Sequence, residues 1–274
     1  MFEKRHIGTF LTLPAALFVG VAFALPVLAL LSGSVQSDSG LTWARYTEFA
    51  RDQLSMEVFW RTVRLGAWVT LTCAALGYAT ALAMVQAGPH WKGRFIGLMV
   101  LPLMISPVAR TYAWIVILGR TGIVNQAVVG LGLSPEPLRL LFTETAVFIG
   151  LVQLFLPLMV LSLVSALENL PADVVNAARV LGAPWPSVFF KVLLPLTREG
   201  LVTGGTLVFT GAVTAYITPA VLGGSKVLML ETLLYQKVSV NNDFVAASVI
   251  AAILIAMGVV THMLLRRTAR ARSR

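Results

Sequence analysis

The chain has 274 residues, of which 57% are hydrophobic and 12% charged, and its formal net charge is +9. Soluble domains have about 25% charged residues, so water is not the main solvent of this chain. The single cysteine, Cys73, excludes an internal disulfide and a cysteine metal cluster. Five arginines follow the last apolar stretch directly, which is typical of a cytoplasmic membrane anchor rather than a nucleic-acid surface.

Six apolar stretches are long enough to cross a membrane, for which an α-helix needs about 20 mainly apolar residues. Because backbone in lipid must satisfy its own hydrogen bonds, they predict an all-α, polytopic integral membrane protein with one transmembrane domain over residues 1–274. The first stretch is too long for the apolar core of a cleaved signal peptide and is expected to remain as a helix. The predicted spans are residues 7–31, 65–87, 95–118, 145–167, 201–222 and 244–265.

Six spans place both chain ends on the same side of the membrane. The joints on that side carry more Lys and Arg than those on the other side, which predicts cytoplasmic termini. Four arginines in the first outer joint, residues 32–64, weaken this bias. That joint is predicted to be either a short amphipathic helix or an irregular loop lying on the bundle.

Residues 168–200, which we call the elbow, form a long and strongly punctuated joint between the fourth and fifth spans. A helix is predicted to start near Pro171 and to stop at Gly182, because glycine suits the left-handed residue that ends many helices. Pro184 then prevents the helix from resuming, and a second short helix is predicted over residues 186–194. The pattern predicts a helix, a tight turn and a helix.

The elbow resembles the cytoplasmic loop signature of bacterial ABC importer permeases, which is Glu-Ala-Ala, three residues, Gly, and a later Leu-Pro. Asn176 stands where that family usually has Glu. The resemblance implies a type I ABC importer permease fold, in which this loop is a coupling helix that inserts into a cleft of the ATPase subunit. The small alanines would let such a partner approach the helix backbone closely. The residues that the resemblance assigns to ATPase coupling are Asn176, Ala177, Ala178, Leu181, Gly182, Ala183, Leu194 and Pro195.

Two further segments are similar to the spermidine/putrescine-type permeases of that family. Residues 106–114 read SPVARTYAW in the third span, and residues 219–224 read PAVLGG at the end of the fifth. This similarity implies a polyamine-like, or another cationic or zwitterionic, small organic solute. Residues 214–216 read TAY where relatives often have a Gly-Glu-Phe-like segment, so substrate contacts are not transferred there. The candidates for the translocation path are Arg110, Tyr112, Trp114, Tyr216 and Pro219.

Each of these candidates has a structural alternative. Arg110, inside a span, either faces an aqueous path, or snorkels to the interface or pairs structurally. Tyr112 and Trp114 either line a gate, where their rings bind ammonium groups, or anchor the chain at the membrane interface. Pro219 either frees backbone carbonyls toward a cavity or only kinks the helix.

The sequence has no phosphate loop of the form Gly-x-x-x-x-Gly-Lys-Ser/Thr, so this chain is expected to be a transport subunit and not an enzyme. The resemblance implies a bacterial inner-membrane location and three partners. These are a second permease in a heterodimer, an ABC ATPase dimer that holds ATP and Mg²⁺, and a periplasmic solute-binding protein. No metal, cofactor or nucleic acid is expected on this chain.

Two other classes of function compete with the importer. A self-sufficient secondary transporter or channel is the alternative, although the predicted spans hold no Asp or Glu for ion coupling. An intramembrane enzyme is disfavoured, because no Ser/His, paired-Asp or His-Glu-x-x-His arrangement falls at membrane depth.

Overall fold

The computed structural model describes residues 14–37 and 40–271, and helices account for most of them. Two short strands, β1 (Gln36–Ser37) and β2 (Gly40–Leu41), pair in antiparallel orientation. The helices in chain order are α1 (Pro14–Val35), α2 (Ala44–Arg51), α3 (Gln53–Gln86), α4 (Pro89–Met104), α5 (Pro107–Leu118), α6 (Ile123–Gly130), α7 (Glu144–Glu168), α8 (Ala172–Val180), α9 (Trp185–Leu196), α10 (Arg198–Val213), α11 (Ile217–Leu222), α12 (Leu230–Ser239) and α13 (Phe244–Ala271).

Five helical stretches among the described residues are long and apolar enough to cross a membrane. They correspond to α1, α3, the α5–α6 region, α7 and α13. The all-α membrane fold is therefore confirmed, whereas six continuous helical spans are not. Residues 7–13 of the first predicted span lie outside the described part of the chain.

The second predicted span begins earlier than the sequence pattern indicated. The helix α3 starts at Gln53 rather than at residue 65 and has 34 residues, about 51 Å at 1.5 Å per residue. The first three turns of this helix carry charged residues, so the search for uncharged apolar stretches did not include them. The preceding joint contains the helix α2, so the helical alternative for residues 32–64 is confirmed for Ala44–Arg51.

The third predicted span, residues 95–118, is not one helix. It is divided between α4 and α5, because Ile105 and Ser106 both have extended ψ angles, of 135° and 131°. Pro107 explains the break, since proline disfavours helical geometry in the residue before it and suits the first position of a new helix.

The fifth predicted span, residues 201–222, is also interrupted. The helix α10 ends at Val213, and the shorter α11 begins at Ile217. Pro219 has no N–H to donate to the Ala215 carbonyl, and its ring would clash with that carbonyl in a continuous helix. The Thr-Ala-Tyr segment at residues 214–216 therefore forms the joint between two helices.

Close contacts of glycine hold α7 against its neighbours. α7 packs against α4, α5, α10 and α11. A Cβ atom at Gly150 would lie 2.7 Å from Thr218 Cγ2 in α11, and one at Gly200 would lie 2.4 Å from Ala166 Cβ. Larger side chains at these glycines would push the helices apart.

The chain folds as two compact units. The described part of the first comprises residues 14–56 and Leu234–Ile255, and that of the second comprises Glu57–Leu233 and residues 256–271. The second unit contains a large buried cluster that includes Val69, Leu151 and Met159, each fully inaccessible to solvent. The elbow and the candidate path residues belong to this second unit.

Candidate functional site

The first helix of the elbow, α8, ends in a tight left-handed turn. Gly182 has a φ of +77°, and the Ala183 N–H donates to the Ala178 carbonyl at 3.1 Å. This bond, made across five residues, is that of a Schellman motif, for which glycine at the left-handed position is the favoured residue. The predicted stop at Gly182 is confirmed, and the turn fixes the direction in which the chain leaves α8.

The second helix of the elbow, α9, starts directly after Pro184. The Ser187 and Val188 N–H groups both donate to the Pro184 carbonyl, at 2.9 and 3.1 Å. The predicted end of this helix at residue 194 is wrong, because α9 continues through Pro195 to Leu196 and the Thr197 N–H still donates to the Leu193 carbonyl. Proline is tolerated there because a π-helical turn over Phe189–Leu193 precedes it and shifts the register of the hydrogen bonds.

The elbow exposes several large apolar side chains. Val180 and Leu181 are 87% and 86% exposed, and Phe190 is 64% exposed. Because these apolar side chains lie in a joint outside the predicted spans, a protein partner could bury them. We call Val180 and Leu181, at the end of α8, the crest of the elbow.

The other side of the elbow packs on the protein. Ala178 and Ala183 are partly buried against the core cluster, and Val188 and Leu193 are buried. Of the remaining residues assigned to ATPase coupling, Ala177 and Pro195 are exposed and Leu194 is partly buried. The side chain of Asn176 lies outside what the structure describes.

Two polar contacts connect the elbow and its start to other helices. The Tyr78 hydroxyl of α3 and the Thr197 hydroxyl, both buried, lie 2.6 Å apart, and the Tyr78 ring meets Phe189 of α9 edge to face. Lys92, in the first turn of α4, forms an ion pair with Glu168, the last residue of α7. A displacement of the elbow would therefore be transmitted to α3, α4 and α7.

Arg110 bonds to the backbone at the break between α4 and α5. Its Nη1 donates to the Pro102 carbonyl at 2.9 Å, near the end of α4, and its side chain is partly buried. This carbonyl also accepts from the Ile105 N–H at 3.4 Å, and an arginine is a suitable second donor near the end of a helix. This contact supports the structural alternative for Arg110. A part of Arg110 in translocation stays a prediction.

The other candidate path residues lie on two helices that pack together, α5 and α11. Trp114 donates from Nε1 to Gln153 Oε1 of α7 at 3.4 Å, and Tyr112 is 58% exposed. Tyr216 is partly buried immediately before α11, and Pro219 is buried within α11. The two helices each follow one of the helix breaks, and the part of these residues in translocation stays a prediction.

Sequence patterns missed a charged network at the start of α7. The Arg61 Nε donates to Glu144 Oε1 at 3.1 Å, and Arg64 Nη2 lies 2.5 Å from Glu144 Oε2. Arg61 also pairs with Glu57 and donates to the Leu228 carbonyl at 3.3 Å. Only the i, i+4 spacing of Glu57 and Arg61 was visible in the sequence.

Within residues 14–37 and 40–271, no group of three or more His, Cys, Asp or Glu side chains is arranged to hold a metal ion.

Known proteins resemble this chain in sequence and in fold. It is 34% identical over 211 residues to the spermidine/putrescine transport system permease protein PotB of Haemophilus influenzae, covering 77% of this chain and 73% of that protein. It is 32% identical over 179 residues to PotB of Escherichia coli, covering 65% of each chain. The molybdenum transport system permease protein ModB of Mycobacterium tuberculosis is 29% identical over 267 residues, which cover 94% of this chain and 96% of that protein.

The fold is also that of solved transporter structures. A chain of a bacterial alginate ABC transporter, crystallised with an alginate pentasaccharide-bound periplasmic protein, has a TM-score of 0.82 at 12% identity and covers 99% of this chain and 96% of that one. Residues 79–274 match the family described as binding-protein-dependent transport system inner membrane component. The chain therefore belongs to the family of binding-protein-dependent transport system inner membrane components, and it is a multi-pass permease subunit of an ABC importer.

Proposed function

We propose that this chain and a second, related permease form the translocation pathway for a polyamine-like small organic cation. A periplasmic solute-binding protein delivers the solute, and an ABC ATPase dimer, which holds ATP and Mg²⁺, binds at the elbow. In this arrangement the elbow and both termini are cytoplasmic. The assignment of the solute is supported by the relatives in Haemophilus influenzae and Escherichia coli, which are named spermidine/putrescine permeases.

The observation that carries the ATPase proposal is the geometry of the elbow. A short helix ends in a fixed left-handed turn at Gly182, and two large apolar side chains at its crest are more than four-fifths exposed. Burying each of them against a partner would contribute about 1.5–3 kcal/mol. The exposed Ala177 beside them has no bulk to hold a partner away from the helix backbone.

The contacts of the elbow supply a route for mechanical work. When the ATPase dimer closes, it would pull the crest, and the elbow would act on α3 through Tyr78 and Thr197. The ion pair of Lys92 with Glu168 would carry the same displacement to α4 and α7. These three helices contribute to one buried core, so they would move together rather than bend separately.

The first test targets the crest without disturbing the packed side of the elbow. Leu181→Ser removes an exposed apolar side chain, and Leu133→Ser is its matched control, because Leu133 is 74% exposed in a different joint. We expect Leu181→Ser to weaken co-purification with the ATPase by at least about tenfold, given the 1.5–3 kcal/mol above. Leu133→Ser should leave it unchanged.

A second variant introduces a charge where the elbow packs. Ala178→Glu places a carboxylate on a side chain position that contacts the core cluster, and it should abolish ATPase association while the spans remain inserted. Normal co-purification of both Ala178→Glu and Leu181→Ser with the ATPase would refute the proposal.

The solute is tested with the assembled transporter. Mass spectrometry of the ligand that the solute-binding protein retains should detect a polyamine, and reconstituted vesicles should take up radiolabelled putrescine or spermidine only with ATP. Uptake by this chain alone, in vesicles without any ATPase, would instead support a self-sufficient secondary transporter.

A further inference from the structure

An open groove of about 590 Å³ lies between α7 and α10 in the second unit. The two helices approach closely beside it, since a Cβ atom at Gly204 would lie only 2.7 Å from Met159 Sδ. The groove is lined both by leucines, among them Leu158 and Leu207, and by polar side chains. A site of this composition suits a ligand that has both apolar and polar parts.

Three polar side chains that line the groove donate hydrogen bonds to backbone carbonyls. Ser162 Oγ donates to the Gly200 carbonyl, and Thr203 Oγ1 donates to the Glu199 carbonyl, both at 2.8 Å. Asn169 Nδ2 donates to the Ser165 carbonyl, also at 2.8 Å. The lone pairs of the two hydroxyls and the Oδ1 atom of Asn169 remain as acceptors. These oxygens can accept hydrogen bonds from a ligand, beside the second N–H of Asn169 and the Ser165 hydroxyl, which also line the groove.

Glu199 adds a negative charge to these acceptors. Its side chain is exposed and lines the groove. Among the described residues, the ion pairs join Arg61, Arg64 and Lys92 to other glutamates. Glu199 takes part in none of these ion pairs. The negative charge of this carboxylate would attract a cation to the groove and disfavour an anion.

We propose that this groove binds a small organic ammonium ion, with the Glu199 carboxylate on the ammonium group and the leucines on its methylene groups. The groove would be a station that the solute occupies on the elbow side of the translocation path. This inference rests on the proposed function and names a binding residue for it. Asn169, Glu199 and Gly200 belong to the elbow, so a movement of the elbow would also change the shape of the station.

The test measures binding of radiolabelled putrescine to the full chain in nanodiscs of phosphatidylglycerol, which has no amine of its own. The wild type should bind putrescine saturably, and uncharged 1,4-butanediol should not compete. Glu199→Gln should weaken binding about tenfold, the scale of one charge-assisted hydrogen bond. Glu136→Gln is the matched control, because Glu136 is an exposed acid in another joint and should leave binding unchanged.

Three results would overturn the inference. They are the absence of saturable putrescine binding by the wild type, equal affinities of Glu199→Gln and wild type, and equal losses in Glu199→Gln and Glu136→Gln. Phosphatidylethanolamine shares the ammonium chemistry, so loss of putrescine binding when this lipid is added would assign the groove to a lipid headgroup and also overturn the solute station.

Co-purification with the ATPase separates this inference from the proposed function. Glu199→Gln should keep the wild-type level of ATPase association, and loss of association would assign Glu199 to assembly instead of solute binding. Thr203→Val, which removes one acceptor without changing charge, should weaken putrescine binding by a smaller factor than Glu199→Gln.

Discussion

Replacing Gly182 with alanine tests how much the elbow depends on one backbone conformation. A Cβ atom at Gly182 would meet no other atom within 4 Å, so the substitution causes no steric clash. The cost is confined to the left-handed φ of +77°, which disfavours an L-residue by about 1–2 kcal/mol. A nine-residue helix has little stability of its own, so the local opening equilibrium of the turn should rise by about 5–30-fold.

Hydrogen exchange of the Ala183 amide reports this opening directly, because that N–H donates to the Ala178 carbonyl at 3.1 Å in the closed turn. Gly182→Ala should lower its protection by about 5–30-fold, and Gly182→Asn should lower it less, since asparagine tolerates the left-handed region. Gly97→Ala is the control, because Gly97 lies inside α4 with open space around it and a helical φ. Unchanged protection of Ala183 in Gly182→Ala would refute the reasoning.

Two further predictions concern polar contacts in the two units. Tyr78→Phe removes the buried hydroxyl 2.6 Å from Thr197 and should lower the free energy of unfolding by about 1–3 kcal/mol, whereas Tyr112→Phe, at an exposed ring, should leave thermal unfolding in detergent unchanged. The hydrogen bonds of the Ser55 hydroxyl and N–H hold the pKa of Asp52 below its ordinary 3.8, so this contact stabilises the start of α3 above pH 3.8 and is lost as the pH falls through the folded pKa. The difference in Tm between wild type and Asp52→Asn should therefore be present at neutral pH and vanish in acid, and a difference independent of pH would contradict it.

The elbow could be predicted from sequence because its determinants are local. The left-handed turn depends on the backbone freedom of Gly182, and the start of the second helix depends on the fixed φ of Pro184. Both properties follow from the residue type alone. The predicted end of the second helix at residue 194 was wrong, because its determinant is not visible in the sequence. A π-helical turn over Phe189–Leu193 changes the hydrogen-bond register before Pro195, and no residue type predicts such a turn.

The breaks in the third and fifth spans were harder to predict, because hydropathy measures solvent preference and not backbone continuity. Residues 105–107 are apolar or small, so a window average passes over the break without a change. The partner of Arg110 follows from that break, since the Pro102 carbonyl is open to a side-chain donor only because it lies near a helix end. The groove along α7 depends on contacts of Gly200 and Gly204 with residues about forty positions earlier, which no local pattern contains.

The burial of Cys73 has a practical consequence for the study of this permease. Cys73 is the only cysteine of the chain, and it is fully inaccessible within α3. In a Leu181→Cys variant, the introduced sulfhydryl would thus be the only one open to a maleimide dye, with no need to alter the native residue first. A membrane-impermeant dye would then report from which face of the bilayer the crest can be reached, and a fluorescent one would follow its displacement during a transport cycle.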